Sequence, residues 1–218
     1  MFEDNHLLVV NKRPGDIVQG DKTGDAPLSE VVKEYIAEKY NKPGAVFLGV
    51  VHRLDRPTSG IVVFARTSKA LTRLNKMFQE RETEKIYWAV VKKTPSKVED
   101  TLIHFMKRNT KQNKSYAHIK EVLDSKRAVL HYSLLKKLDN YSLLEIKLET
   151  GRHHQIRSQL TAIGSPIKGD LKYGADRSNK DGSIHLHAKK LTFIHPVLKE
   201  KMTLEARPPK DPVWNSCI

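Results

Sequence analysis

The stretch His52-Arg53-Leu54-Asp55-Arg56-Pro57-Thr58-Ser59-Gly60 sets one acid between two arginines in a short polar loop. A cation that close favours the charged form of a carboxyl group, so Arg53 and Arg56 are expected to hold Asp55 ionised at neutral pH. Pro57 and Gly60 stiffen and permit the turn, while Thr58 and Ser59 can bond its loose backbone groups. A carboxylate held this way is a candidate catalyst. An Asp in a Pro- and Gly-containing turn is nonetheless more often a turn former, so residue types alone do not make it one.

The second candidate is Gly151-Arg152-His153-His154-Gln155-Ile156-Arg157-Ser158, which ends an apolar run and opens a helix. Backbone N–H groups at a helix start bind anions, and Arg152 and Arg157 there can grip a phosphate or carboxylate. His154, Arg157 and Ser158 share a helix face by spacing, with Ile156, Leu160 and Ile163 toward a core. A basic but solvated helix start fits the same residues. Adjacent histidines raise the question of a metal. His153 and His154 are expected to point to different faces with no acid near in sequence, and His185 and His187, which share a strand face, have no cysteine or carboxylate cluster beside them. A zinc site is therefore rejected. Between Phe105 and Lys120 lie Lys107, Arg108, Lys111, Lys114 and Lys120, with Tyr116 and no acid. A basic arm or hairpin contacting RNA is favoured there over a solvated loop.

The elements that must position these groups follow from periodicity. Leu7 to Val10 reads as a strand running into the turn at Pro14-Gly15. Leu28 to Tyr40 has helical spacing, with Pro27 before it and Pro43-Gly44 after. Val46 to Val51 and Ile61 to Ala65 read as strands around the acidic loop. Ser68 is the expected N-cap of a helix carrying Ala70, Leu71, Leu74, Met77 and Phe78 on one side. Lys85 to Lys92 reads as a buried strand, and Ala128 to Leu135 pairs with Tyr141 to Glu149. A short helix spans about His154 to Ile163, and strands close the chain at Ile184 to Phe193 and Met202 to Ala206. Many strands with three helices in irregular order predict an α+β fold around a large mixed sheet, and exclude a doubly wound one.

The chain has 218 residues, enough to bury a real core, and a formal net charge of +14. Such a field draws polyanions, nucleic acid foremost, though charge alone does not decide it. The single cysteine, Cys217, cannot form an internal disulfide. The opening residues Met1-Phe2-Glu3-Asp4 lack the character of a signal peptide, and no apolar run is long enough to span a bilayer. A cytoplasmic location is expected.

With these residues laid out, the chain resembles the RluA family of RNA pseudouridine synthases over most of its length. Asp4 to Lys12 is similar to that family's opening strand. His52-Arg53-Leu54-Asp55 with Thr58-Ser59-Gly60 matches its most specific motif, and Lys85-Ile86-Tyr87 its tyrosine motif. Gly151-Arg152, His154-Gln155 and Arg157 match its arginine motif, continued by Gly164, Pro166, Gly169 and Asp170. Leu186-His187-Ala188 with His195-Pro196 resembles its closing segment. The turn Lys12-Arg13-Pro14-Gly15 departs from the family, which more often has Pro directly after Lys.

The resemblance implies one pseudouridine-synthase-like domain over 1–218. Its large mixed, mostly antiparallel sheet would be flanked by helices and loops, with an active-site cleft across it. It implies isomerisation of uridine to pseudouridine in ribosomal or transfer RNA. Asp55 would be the catalytic carboxylate, Tyr87 would pack on the uracil, and Arg157 would pair with Asp55. Arg53 would help evict the base, and Arg56, Arg152 and His154 would join it on the RNA. Asp55 could bond to the sugar, add to the base or remove a ribose proton. No cofactor or metal is called for, nor any obligate protein partner, and a monomer is expected. Many relatives carry an S4-type module before the catalytic domain; only a few residues precede the first strand here, so RNA grip is expected from the catalytic domain itself. One rival is a non-catalytic RNA-binding protein that kept the fold. Another is a nucleoside or glycoside hydrolase, which should show a second positioned carboxylate.

Overall fold

The computed structural model describes residues 1–20 and 24–218. Its strands are β1 (Phe2–Glu3), β2 (Leu7–Lys12), β3 (Gly49–Val50), β4 (Ser59–Ala65), β5 (Glu84–Val91), β6 (Glu99–Asn109), β7 (Lys114–His118), β8 (Lys126–Lys137), β9 (Ser142–Leu148), β10 (Leu186–Ile194) and β11 (Lys201–Glu205). The helices are α1 (Leu28–Lys39), α2 (Ser68–Glu80), α3 (Gln155–Ala162) and α4 (Pro212–Cys217), with a 3₁₀ turn at Leu171–Tyr173. One sheet holds all the strands in the order β1-β2-β4-β10-β5-β9-β8-β6-β7, with β3 added to β4 and β11 to β10. Among the described residues the only parallel pairing is β4 with β10, so the sheet is mixed and mostly antiparallel, as the sequence predicts.

Burial explains the patterns. Strand β4 is buried at every position because both of its faces are covered, which removes the need for alternation. On one face Val62 and Phe64 meet Val32 and Ile36 of α1; on the other Ile61 and Val63 meet Ala70 and Leu74 of α2. Full burial of Phe64 or Leu74 is worth roughly 1.5–3 kcal/mol each. In the other half, Leu144 and Ile146 of β9 face Ile156 and Leu160 of α3. Leu143, on the opposite face, meets Trp214 and Cys217 of α4.

Three expectations need correction. The run 46–51 forms a ladder only at Gly49–Val50, where the chain passes so close to α2 that a Cβ on Gly49 would sit 2.7 Å from Leu71. Helix α2 is capped by Thr67, whose Oγ1 accepts from the Ala70 N–H at 3.2 Å, and Ser68 is its first helical residue. A fourth helix, α4, follows Asp211, whose carboxylate accepts from the Val213 and Trp214 N–H groups. At six residues it is too short to show a hydrophobic period.

Strands β4 and β10 meet at a tight seam. Gly60 has φ +118°, and a Cβ there would lie 2.4 Å from the Ala188 carbonyl oxygen. Only glycine permits that backbone and that approach. The seam sets the loop before β4 beside β10, which pairs on its far side with β5, the strand of Tyr87.

Candidate active site

Asp55 stands on the loop between β3 and β4, and the loop is tied down from several directions. The Arg56 carbonyl accepts from the Gly15 N–H at 2.9 Å and from Lys12 Nζ at 3.1 Å, and the Pro57 carbonyl accepts from the Ile184 N–H at 3.1 Å. The Thr58 N–H closes the turn onto the Asp55 carbonyl at 3.0 Å. Lys12 is 2% exposed and also donates to the Arg13 and Asp16 carbonyls, so its three donors are all used on main chain. Burial lowers its pKa to about 8.

Arg157, in the first turn of α3, is gripped by two acids. Its Nε and Nη2 donate to Asp170 at 2.7 and 2.8 Å, a bidentate pair, and its Nη1 donates to Asp55 Oδ2 at 2.9 Å. The Asp170 side chain is 1% exposed and that of Asp55 is 30% exposed, so one acid anchors the guanidinium and the other faces the opening. Burial works against the arginine's charge, but the bonds and charge of Asp170, then of Asp55, outweigh it and raise its pKa. Tyr87 packs against the apolar clusters of both halves, and burial, then the charge of Asp55, pushes its phenol up.

These groups surround a cleft of about 140 Å³ lined by Asp55, Arg157, Tyr87, Leu148, Leu186, Arg53, Arg152 and neighbouring residues. Leu186, Tyr87 and Leu148 lie on β10, β5 and β9, so the cleft runs across three adjacent strands. A cavity of roughly 150 Å³ admits one benzene ring. This one is scaled to a single base, held between an acid and an apolar floor.

Behind the cleft is a polar chain. His154 Nε2 lies 3.5 Å from Asp55 Oδ2, and its Nδ1 is 2.9 Å from the Tyr173 hydroxyl. That hydroxyl accepts from the Ser115 N–H at 2.8 Å and is 3.1 Å from the Ser115 carbonyl. The Tyr173 ring also lies under the Arg157 guanidinium, 4.9 Å from its centroid. Burial first, and then Arg157, lower the His154 pKa to about 3 against the pull of Asp55, so the ring is neutral. Burial raises Tyr173 to about 12 despite the Ser115 bond.

The sequence-derived candidates separate here. Asp55, Tyr87 and Arg157 come together. The cation on Asp55 is Arg157 and not a loop neighbour: Arg56 pairs with Asp25, and Arg53 is exposed at the cleft edge. Arg157 is turned inward to two carboxylates, so of the two anions its place at the helix start allowed, it takes carboxylate, and one of the pair is Asp55 as the resemblance implies. The Arg152 N–H at the helix start is taken by Gln155 Oε1 at 2.9 Å, and its side chain donates to the Arg127 carbonyl. His153 and His154 do not diverge: their rings stack 3.8 Å apart, because His154 precedes the helix at φ 51°, in the left-handed region. Lys107, Arg108, Lys111 and Lys114 lie on the hairpin β6–β7 at the sheet's edge, beside α3. Lys114 sits over the rings of Tyr116 and Tyr173. Residue spacing assigned no role to Asp170, Tyr173 or Lys12. Asp170 stood within the matched motif, but only the fold shows that it holds the arginine.

Comparison with known proteins agrees with this geometry. The family profile described as RNA pseudouridylate synthase matches residues 6–162. Ribosomal large subunit pseudouridine synthase D of Zymomonas mobilis is 34% identical over 97% of this chain and 69% of its own length. An uncharacterized RNA pseudouridine synthase of Synechocystis is 32% identical over 96% of this chain and 65% of its own length. The tRNA pseudouridine synthase C of Pectobacterium carotovorum is 30% identical over all of this chain and 60% of its own. This chain thus spans about two thirds of the length of the curated relatives it matches. Among solved structures, human RNA Pseudouridylate Synthase Domain Containing 4 superposes with a TM-score of 0.80 over 98% of this chain and 89% of its own, at 23% identity, which speaks to fold. The chain belongs to the RNA pseudouridylate synthase family, in agreement with the RluA-type motifs of its sequence.

Proposed function

We propose that residues 1–218 act as one catalytic domain that isomerises uridine to pseudouridine in ribosomal or transfer RNA. The observation that carries this is a half-open Asp55, aimed by a buried arginine into a cleft the size of one ring and backed by Tyr87. A base stacked in RNA must be flipped out to enter such a cleft, at a cost of a few kcal/mol. Arg53, exposed at the rim, fills the vacated space and bonds the RNA. Cleavage of the N1–C1′ bond builds positive charge on the ribose, and the carboxylate stabilises it. The base turns, its C5 joins C1′, a proton leaves C5 and N1 gains one, so composition is unchanged. Leu148, Leu186 and Tyr87 keep out water, which would release free uracil. The exposed cations of β6–β7, with Arg152, hold the phosphates. A monomer in the cytoplasm suits this work; no helix among the described residues is long and apolar enough to cross a membrane.

The test maps pseudouridine in RNA from cells lacking the gene, then after its return as wild type or as Asp55→Ala. The wild type restores specific sites. The variant folds and binds RNA but restores none. Sites restored by Asp55→Ala would remove the carboxylate from the mechanism. RNA bound and left unchanged by the wild type would favour a binding protein on the same fold.

A further inference from the structure

We propose that His154 is a positioning residue for the catalytic carboxylate. Tyr173 locks its neutral imidazole in the Nε2–H tautomer, and together with Arg157 it claims Asp55 Oδ2 and leaves Oδ1 to react. This rests on the reading of Asp55 given above.

The tautomer follows from counting protons. The Ser115 N–H can only donate, so it takes a lone pair of the Tyr173 oxygen at 2.8 Å. The hydroxyl's one proton then goes either to the Ser115 carbonyl at 3.1 Å or to His154 Nδ1 at 2.9 Å. If Nδ1 carried the ring proton, Nε2 would turn a lone pair toward Asp55 Oδ2 at 3.5 Å, two acceptors face to face. Placing the proton on Nε2 removes that repulsion and frees Nδ1 to accept from Tyr173. At 3.5 Å the approach to Asp55 is longer than a formed bond, as catalytic hydrogen bonds often are before substrate tightens them.

The ring is clamped for this purpose. His154 holds φ 51°, a conformation uncommon for a residue with a Cβ. Its face stacks on His153, whose Nδ1 is 2.7 Å from Ser115 Oγ. Both histidines are therefore referenced to Ser115, on the strand that also carries Lys114 and Tyr116. Arg157 Nη1 reaches the same carboxylate oxygen as His154, at 2.9 Å, and among the described residues no side chain donates to Oδ1.

The experiment uses the full chain. Long-range ¹H–¹⁵N spectra of its histidines report tautomers directly, and single-turnover conversion of total RNA from cells lacking the gene reports rate. His154 should appear as the Nε2–H form in the wild type and as a mixture in Tyr173→Phe. His154→Ala should slow the chemical step by about 10- to 100-fold with RNA affinity within about two-fold. His154→Gln, whose Nε2–H reaches the same oxygen, should recover most of that loss. An Nδ1–H tautomer in the wild type, a Gln variant as slow as Ala, or a loss entirely in affinity would each overturn the proposal. If His154→Ala fails to fold, the spectra of wild type and Tyr173→Phe still decide. A wild type that converts no uridine defeats the function assigned above, whatever the tautomer.

Discussion

The two basic regions of this molecule handle charge in opposite ways. At the cleft, Arg157 is buried, wrapped by two carboxylates and fixed at three bonds. On the β6–β7 hairpin, Lys107, Arg108 and Lys111 stand in solvent, and among the described residues Arg108 bonds only the neutral side chain of Asn113. A charge that must aim another group has to be immobile, and burial with satisfied partners makes it so. A charge that must follow a flexible polyanion gains from staying hydrated and unpaired, since it then exchanges water and counterions for phosphate. The difference shows that a high count of cations says little about function until their partners are known.

The sharpest way to break this comparison is Arg157→Ala. It strands Asp170 in the interior without a counter-charge, which should cost roughly 3–5 kcal/mol of stability. Asp55 would lose its aim, and misplacement by about 1 Å lowers turnover on the order of 100-fold. Urea unfolding and single-turnover kinetics measure the two losses; a variant with wild-type values in both would show that the Asp55–Arg157–Asp170 bonds are dispensable.

A middle-sized effect concerns protons. Burial lowers the pKa of His52 and His187 from 6.5 to about 4, and that of His154 to about 3. Below pH 6.5 the unfolded chain takes up protons that the folded chain refuses. The contribution of these three histidines should thus be flat above about pH 7, fall as pH drops from 6.5 through about 4, continue falling through His154 to about 3, and change little below that. His187→Gln should shrink the fall between about pH 7.5 and about pH 5 in urea midpoints. An unchanged slope would mean that His187 is charged in the fold. Substitutions at Lys107, Arg108, Lys111 and Lys114 should leave this profile alone, because none of them removes one of these histidines.

The smallest effect on stability, and the one that most refines the contrast, comes from replacing Lys107, Arg108, Lys111 and Lys114 by Ala. Surface changes of this kind stay within about 0.5 kcal/mol each. The log–log slope of RNA affinity against salt should nevertheless flatten by roughly 0.7 for each phosphate that is no longer neutralised. A steep slope retained by the fourfold variant would move the RNA path off the hairpin.

Much of the fold was legible because its strongest signals are local. The helical spacing of Leu28 to Lys39 and the alternation of Leu144, Ile146 and Leu148 need no partner to be read. The motif loop stood out for its residue types, and the resemblance supplied Tyr87 and Arg157. Other features depend on distant chain. Arg53 and Arg56 were read as guardians of Asp55 because sequence shows neighbours only along the backbone, whereas the true partner is 102 positions away. The two histidines were read as divergent because helical projection was applied one residue too early, and a left-handed residue at His154 reverses it. In sequence Lys12 reads only as the end of the opening strand and the start of the turn Lys12-Arg13-Pro14-Gly15. Its burial depends on three carbonyls whose convergence no local pattern announces.

The glycine seam between β4 and β10 has a mechanical consequence. The acid-bearing loop and the tyrosine-bearing strand belong to opposite sides of that junction, and backbone packing there sets the gap between them. A methyl group at position 60 would act as a wedge at the hinge line, spreading the jaws of the cleft without touching a reacting atom. The width of the slot is thus gauged by the absence of a side chain.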